Sequence, residues 1–244
     1  MNRNQQHGLS PWRFLWRCAG ILLCVSSVAL ASDNGSRKVK PYRIVLIGAS
    51  IGSAWNLPDF PRRAGMPDYV MEMIPVYEFD KSSVLSEVLV RPKRVFHPTL
   101  SYLKGLFGPA PERADVVILK ECSAYFPGDL DVQKRLIDEW VKKIQATGAE
   151  AVLATTVPVT RTRSKQDSGK LEALRTYNDW VRQYAKEHGI KVIDLEEVLR
   201  SDAKDRYLRD EYTSGDGSHL NAAAYQALDA LLVRTLPTLN RASR

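Results

Sequence analysis

Cysteine is scarce in this chain of 244 residues, and two of its three cysteines, Cys18 and Cys24, lie near the start. If that segment is removed, Cys122 is left alone, which excludes an internal disulfide. Cys122 ends an apolar run and is expected to be buried. Histidine is scarce too: His7, His97, His188 and His219 are the full set. No His-Glu-x-x-His spacing occurs, so no catalytic metal is expected. Neither a Gly-x-x-x-x-Gly-Lys-Ser/Thr run nor a Gly-x-Gly-x-x-Gly run follows the first apolar strand, which speaks against nucleotide binding. No cofactor is expected.

Acidic residues are absent before Asp33, while Arg3, Arg13 and Arg17 are present. The apolar run "CAGILLCVSSVAL" follows, too short for a comfortable membrane span. Ala29 and Ala31 supply an Ala-x-Ala site. These are the three parts of a secretory signal peptide, expected over residues 1–31 with cleavage after Ala31. The alternative is an uncleaved anchor, the only route by which a membrane would be a partner. Cleavage lowers the net charge from +7 to +4, which argues weakly against nucleic acid as a partner. An exported protein, periplasmic or extracellular, is expected.

What remains divides into a flexible lead-in (32–40) and one domain (41–244). "RIVLIG" (43–48) and "ADVVILK" (114–120) read as strands covered on both faces. "VMEMIPVYEF" (70–79) is a weaker strand, interrupted by Pro75. "EAVLATTVPV" (150–159) and "IKVIDL" (190–195) are the fourth and fifth. Helical spacing marks 81–90, 98–107, 129–148, 171–189 and 220–236, with Gly148 and Gly189 as terminators. Strands alternating with helices predict a three-layer α/β domain, a parallel sheet with helices on both faces. Active groups in such folds sit at the carboxyl ends of strands. Ser50 follows the first strand, and Lys120, Glu121, Cys122 and Ser123 follow the third.

A serine hydroxyl needs a neighbour to take its proton, and histidine suits that task near neutral pH. His97 precedes a helix and His188 sits near a helix end. His219 lies in "SGDGSHLN", a glycine-containing loop before the last helix. Asp216, three residues earlier, can reach back to hold the imidazole in one tautomer. Each residue also has a plainer role: Ser50 as a helix N-cap, Asp216 as a turn residue beside Gly217, His219 as a surface or capping residue. Ser50, Asp216 and His219 together form the candidate catalytic set.

The chain resembles the SGNH, or GDSL-like, hydrolase family of esterases, lipases and acetylhydrolases. The nucleophile block, usually Gly-Asp-Ser, reads Gly48-Ala49-Ser50. The terminal Asp-x-x-His block reads Asp216-Gly217-Ser218-His219, and "LNAAAYQAL" matches the closing helix. The resemblance covers about residues 41–236 and implies a flavodoxin-like fold. It also implies a Ser-His-Asp triad working through an acyl-enzyme. The central blocks depart from the pattern. "YEFDKSS" lacks the glycine that donates to the oxyanion hole. "LKECSAYFPG" replaces Gly-x-Asn-Asp, with Cys122 or Glu121 at the asparagine position. The amide of Ser50 or Ile51, or a cation at Lys120 or Lys81, is left to serve the oxyanion.

These residues imply an exported serine esterase acting on carboxylic esters, O-acetyl groups first, of a small molecule or a cell-envelope glycan. Two other readings stand beside it: a non-catalytic glycan- or protein-binding module, and an O-acyltransferase using the same triad. "TRTRSKQDSGK" (160–170) reads as a loop whose Arg161, Arg163 and Lys165 either bind an anionic group or are simply solvated.

Overall fold

A computed structural model describes residues 40–78, 80–90 and 113–239. The chain divides into two units between Lys38 and Val39. The first unit, the expected leader included, lies outside the described residues, and so do His97 and the helix expected at 98–107.

The uninterrupted apolar run from Ile44 to Ile47 forms the inner part of β1 (Tyr42–Gly48), all seven of whose residues are buried. It is flanked by β2 (Tyr69–Pro75) and β3 (Val116–Lys120), followed outward by β4 (Glu150–Ala154) and β5 (Lys191–Ile193), in the order β2-β1-β3-β4-β5. Every pairing is parallel: Ile47 stands opposite both Ile74 and Leu119, Leu119 opposite Leu153, and Ala154 opposite Ile193. Pro75 is tolerated because β2 is an edge strand and Pro75 its last residue.

Burial on both sides explains why β1 and β3 do not alternate apolar with polar. Val45, Ile47, Val117, Leu119 and Leu153 face α3 (Ser82–Val90), α4 (Leu130–Ala146) and α6 (Lys170–His188), where Trp140, Ile144, Tyr177 and Val181 complete one core. Ile44, Leu46, Ile118 and Val152 face the other way, against α1 (Ser50–Ala54), α2 (Phe60–Arg63), α7 (Leu195–Leu199) and α8 (Ala222–Thr235). The fold is therefore the expected three-layer, flavodoxin-like α/β arrangement. Asp129 caps α4 by accepting from the amides of Asp131 and Val132, and Gly189 ends α6 in the left-handed conformation at φ 65°. Among the described residues, no helix is long and apolar enough to cross a membrane.

Two expectations need correction. The strand expected over 150–159 pairs only as far as Ala154. Thr155 and Thr156 are buried; the Thr155 amide still donates to the Ile193 carbonyl (3.2 Å), and at Thr156 a side chain takes the backbone instead. Asn178 Oδ1 accepts from the Thr156 amide (2.7 Å) and hydroxyl (2.9 Å), and its Nδ2 donates to the Thr156 carbonyl (3.1 Å). The segment 160–170 is not an open loop. Thr160 caps a short helix, α5 (Arg161–Gln166), accepting from the Arg163 amide. Arg161 pairs with Asp205 (2.7 Å) and Arg163 with Asp167 (3.0 Å).

Asn178 therefore positions the segment that leaves β4. Asn178→Leu strands three buried polar groups of Thr156, so we expect a loss of about 3 kcal/mol in urea unfolding. A change below about 0.5 kcal/mol would show that water replaces the amide.

Candidate active site

In a 2-1-3-4-5 sheet the chain reverses direction of winding between β1 and β3, and ligands bind beyond the carboxyl ends of the strands there. Ser50 stands at that point. Gly48 ends β1, Ala49 takes an extended conformation as N-cap, and Ser50 opens α1 half-buried. The N-cap position belongs to Ala49 and not to Ser50, so the plainer role considered for Ser50 is not filled. Gly52 lets α1 lie close to the sheet, since a Cβ there would fall 2.6 Å from Met73 Cε.

The other two residues come from the far end of the chain. Asp216 Oδ2 meets His219 Nδ1 at 2.5 Å, and Asp216 Oδ1 accepts from the amides of Ser218 (2.9 Å) and His219 (2.8 Å). One carboxylate thus both shapes the turn and orients the ring. Burial acts to raise the Asp216 pKa, but the hydrogen bonds from His219 and Ser218 outweigh it and hold the carboxyl well below the usual carboxylate range. The dyad is accessible, with the His219 side chain 53% and that of Asp216 48% exposed.

Backbone constraints hold this loop. Thr213 Oγ1 accepts from the amides of Gly215 and Gly217, Ser214 N donates to the His219 carbonyl, and Asn221 caps α8. Asn221 Nδ2 also ties back to the carbonyls of Glu211 and Thr213. Thr160 N donates to the Gly217 carbonyl at 2.9 Å, joining the loop to the segment after β4. Gly217 has φ 78°, and a Cβ there would meet Thr160 Oγ1 at 2.6 Å and Arg163 Cβ at 2.9 Å.

α8 then brings the loop toward Ser50. Tyr225 Oη donates to the Ile51 carbonyl (3.2 Å), Trp55 Nε1 donates to Asp229 (2.8 Å), and Arg63 pairs with Asp229 (2.6 Å). Asp216 and His219 are in direct contact; a hydrogen bond from Ser50 Oγ to His219 is not formed among the described residues. Catalytic hydrogen bonds often tighten only when substrate binds. His188 is otherwise occupied: its Nδ1 contacts the Tyr184 carbonyl at 2.8 Å and its ring stacks on Tyr184.

The central blocks hold an arrangement that sequence reading missed. Lys81 and Glu121 were both noted, but not as partners. Lys81 Nζ donates to both Glu121 oxygens, at 2.8 and 2.6 Å, with the two side chains 0% and 1% exposed. Burial pushes the Glu121 carboxyl up, against the pull of the Lys81 ammonium. Neither residue is therefore a free donor to an oxyanion. Cys122 is buried, as expected. Among the described residues, no group of three or more His, Cys, Asp or Glu is placed to hold a metal.

A parallel sheet with a serine at its switch point and an acid–histidine pair before the last helix defines a class of α/β hydrolases. Residues 100–227 match the model of the GDSL-like Lipase/Acylhydrolase family, and the chain belongs to that family. The matched stretch contains Asp216 and His219 and begins after Ser50. Solved structures agree on the fold. A GDSL-like lipase from Bacteroides thetaiotaomicron is 16% identical with a TM-score of 0.58, over 81% of this chain and 88% of that one. The lipase/acylhydrolase from Enterococcus faecalis is 17% identical with a TM-score of 0.55, over 83% and 99%. An acetyl xylan esterase is 15% identical with a TM-score of 0.55, over 80% and 99%. No curated protein sequence matches the chain.

Gly217 is the tightest point of the loop. Gly217→Ala adds both a left-handed side chain and a clash with Thr160, so we expect about 2 kcal/mol of destabilisation in urea. An unchanged midpoint would mean that the Thr160–Gly217 contact is dispensable.

Proposed function

We propose that this chain is a serine ester hydrolase with Ser50 as nucleophile, His219 as general base and Asp216 as its orienting acid. The observation that carries this reading is the 2.5 Å contact between Asp216 Oδ2 and His219 Nδ1. It assigns the Nδ1 proton to the carboxylate side and leaves Nε2 as the basic nitrogen. Ser50 Oγ attacks the acyl carbon while Nε2 takes the hydroxyl proton. The tetrahedral oxyanion collapses, the C–O bond to the alcohol breaks, and the alcohol leaves with the proton from Nε2. Water then loses a proton to Nε2 and attacks the acyl-serine; the C–Oγ bond breaks, Oγ takes the proton back from Nε2, and the acid is released.

We assign the substrate to small acyl esters, O-acetyl groups first, on a glycan of the cell envelope or on a small molecule met after export. Three features support this. The site is open, and no apolar acyl tunnel is needed for an acetyl group. A cavity of about 360 Å³ is lined by Arg161, Tyr207, Arg209 and Asp210 among others, and Arg161 is next in sequence to the Thr160 that holds Gly217. The mixture of donors, acceptors and an aromatic ring suits a polyhydroxyl alcohol partner. Finally, a protein of the same fold is an acetyl xylan esterase. A second reading, a non-catalytic binding module, draws support from the Lys81–Glu121 pair, which occupies the region where the family's usual donors are missing.

Hydrolysis of p-nitrophenyl acetate by the full chain and by Ser50→Ala separates the two. Turnover in the wild type that disappears in the variant supports the esterase; equal rates at high protein concentration would remove it. Asp216→Asn should lower kcat/KM roughly a thousandfold. The Asp216 carboxyl is depressed, so it is ionised across the whole working range. The loss should therefore be the same from about pH 5 to about pH 9. A loss seen only at one end of that range would argue for a different role.

A further inference from the structure

We propose that Lys120 is the cation that stabilises the oxyanion of the Ser50 reaction, in place of the absent glycine and asparagine donors. This rests on the esterase reading. Lys120 is the last residue of β3, the strand beside β1 at the switch point. Alternation puts it in the row of Val116 and Ile118, on the face that carries α1. Gly48 lies in the neighbouring row, and a Cβ on it would come within 3.4 Å of Lys120 Cβ and 3.2 Å of the Lys120 carbonyl. The bare Gly48 thus allows this close approach, two residues before Ser50.

Lys120 is 1% exposed, yet its one hydrogen bond, at 2.9 Å, goes to the Glu121 carbonyl oxygen. Among the described residues no carboxylate lies within ion-pair distance, because both Glu121 oxygens are held by Lys81. Lys81 belongs to the other face of the sheet, where its ammonium lies 5.2 Å from the Trp140 ring and 5.5 Å from that of Tyr125. The three groups together carry one net positive charge in a dry setting. A buried ammonium with donors to spare is costly in the resting protein. It becomes favourable when a negative charge develops nearby in low dielectric.

The ionisable groups acting on Lys120 are Glu121 and Cys122 from its own outgoing loop and Lys81 from the β2–α3 loop. The flanking strand ends, Gly48 and Ala154, bring none. Burial lowers the Lys120 pKa to about 8, against the raising effect of Cys122 and Glu121. The cation is therefore present below that pH and lost above it.

The test is the kcat for p-nitrophenyl acetate between pH 6 and pH 10, corrected for spontaneous hydrolysis, in wild type, Lys120→Met and Ser50→Ala. We expect wild-type kcat to fall as pH rises through about 8. Lys120→Met should lose about a hundredfold in kcat at pH 7, with KM nearly unchanged and the alkaline fall gone. Its melting temperature should be equal or higher, since methionine removes an uncompensated buried charge. A structural role alone predicts the reverse: a lower melting temperature and an unaltered pH profile. Lys120→Met with wild-type kcat, in an enzyme that Ser50→Ala inactivates, overturns the proposal and leaves the esterase reading intact. If Lys120→Met does not fold, a wild-type kcat that stays level to pH 10 overturns it equally. A wild type without Ser50-dependent turnover removes the esterase reading and this proposal together.

Discussion

The packing of α8 on α1 is the constraint on which the site depends. Trp55 and Arg63 share Asp229, and Tyr225 reaches the Ile51 carbonyl, so residues 174 apart in sequence are held within hydrogen-bond distance. Each contact spends a polar group of α8 on the segment that carries or follows Ser50. Without this clamp the serine and the acid–histidine loop would belong to separate ends of one sheet. The leucines of α8, Leu228 and Leu232, are buried in the same core as Ile51 and Trp55.

A second layer of constraint keeps the surrounding loops rigid without taking part in chemistry. Arg182 pairs with Asp194 and Glu196, and Arg206 pairs with Glu196 and Asp179. Glu196 is buried, and two guanidinium groups converge on its Oε2. This network ties α7 and the segment beyond it to α6, so the stretch that leads to the dyad loop starts from a fixed base. Its charges are mutually satisfied. Among the described residues the buried ammonium of Lys120 bonds only to a backbone carbonyl, that of Glu121, so its charge is not offset in the same way.

Much of this was legible in the sequence, for physical reasons that differ from element to element. The runs at 44–47 and 116–119 read as strands because burial on both faces leaves no room for polar alternation. The stripe Ile137, Trp140, Val141 and Ile144 read as a helix because it faces a single core. Asp216 and His219, three residues apart in a glycine-containing loop, were legible as a contact pair because so short a spacing lets the carboxylate reach the ring. α5 was not visible: Arg161–Gln166 has no buried residue and hence no periodicity. It exists because Thr160 caps it and the Gly217 carbonyl anchors that cap. The Lys81–Glu121 pair was equally hidden, since its members lie 40 residues apart and charge patterning along one element cannot join them. Strand β4 was overestimated because a buried threonine bonded to asparagine looks, in sequence, like a threonine in a sheet.

The position of the dyad loop also has a consequence for a chain made from its N-terminus onward. The sheet is complete once Ile193 has been added, and the nucleophile segment far earlier. The histidine, its acid and the clamping helix come last, between Asp216 and Thr235. On the reading proposed above, a nascent chain can therefore assemble its central layer while still lacking Asp216 and His219. On that reading reactivity arrives only with the closing segment, so an unfinished or C-terminally clipped molecule would be silent toward esters.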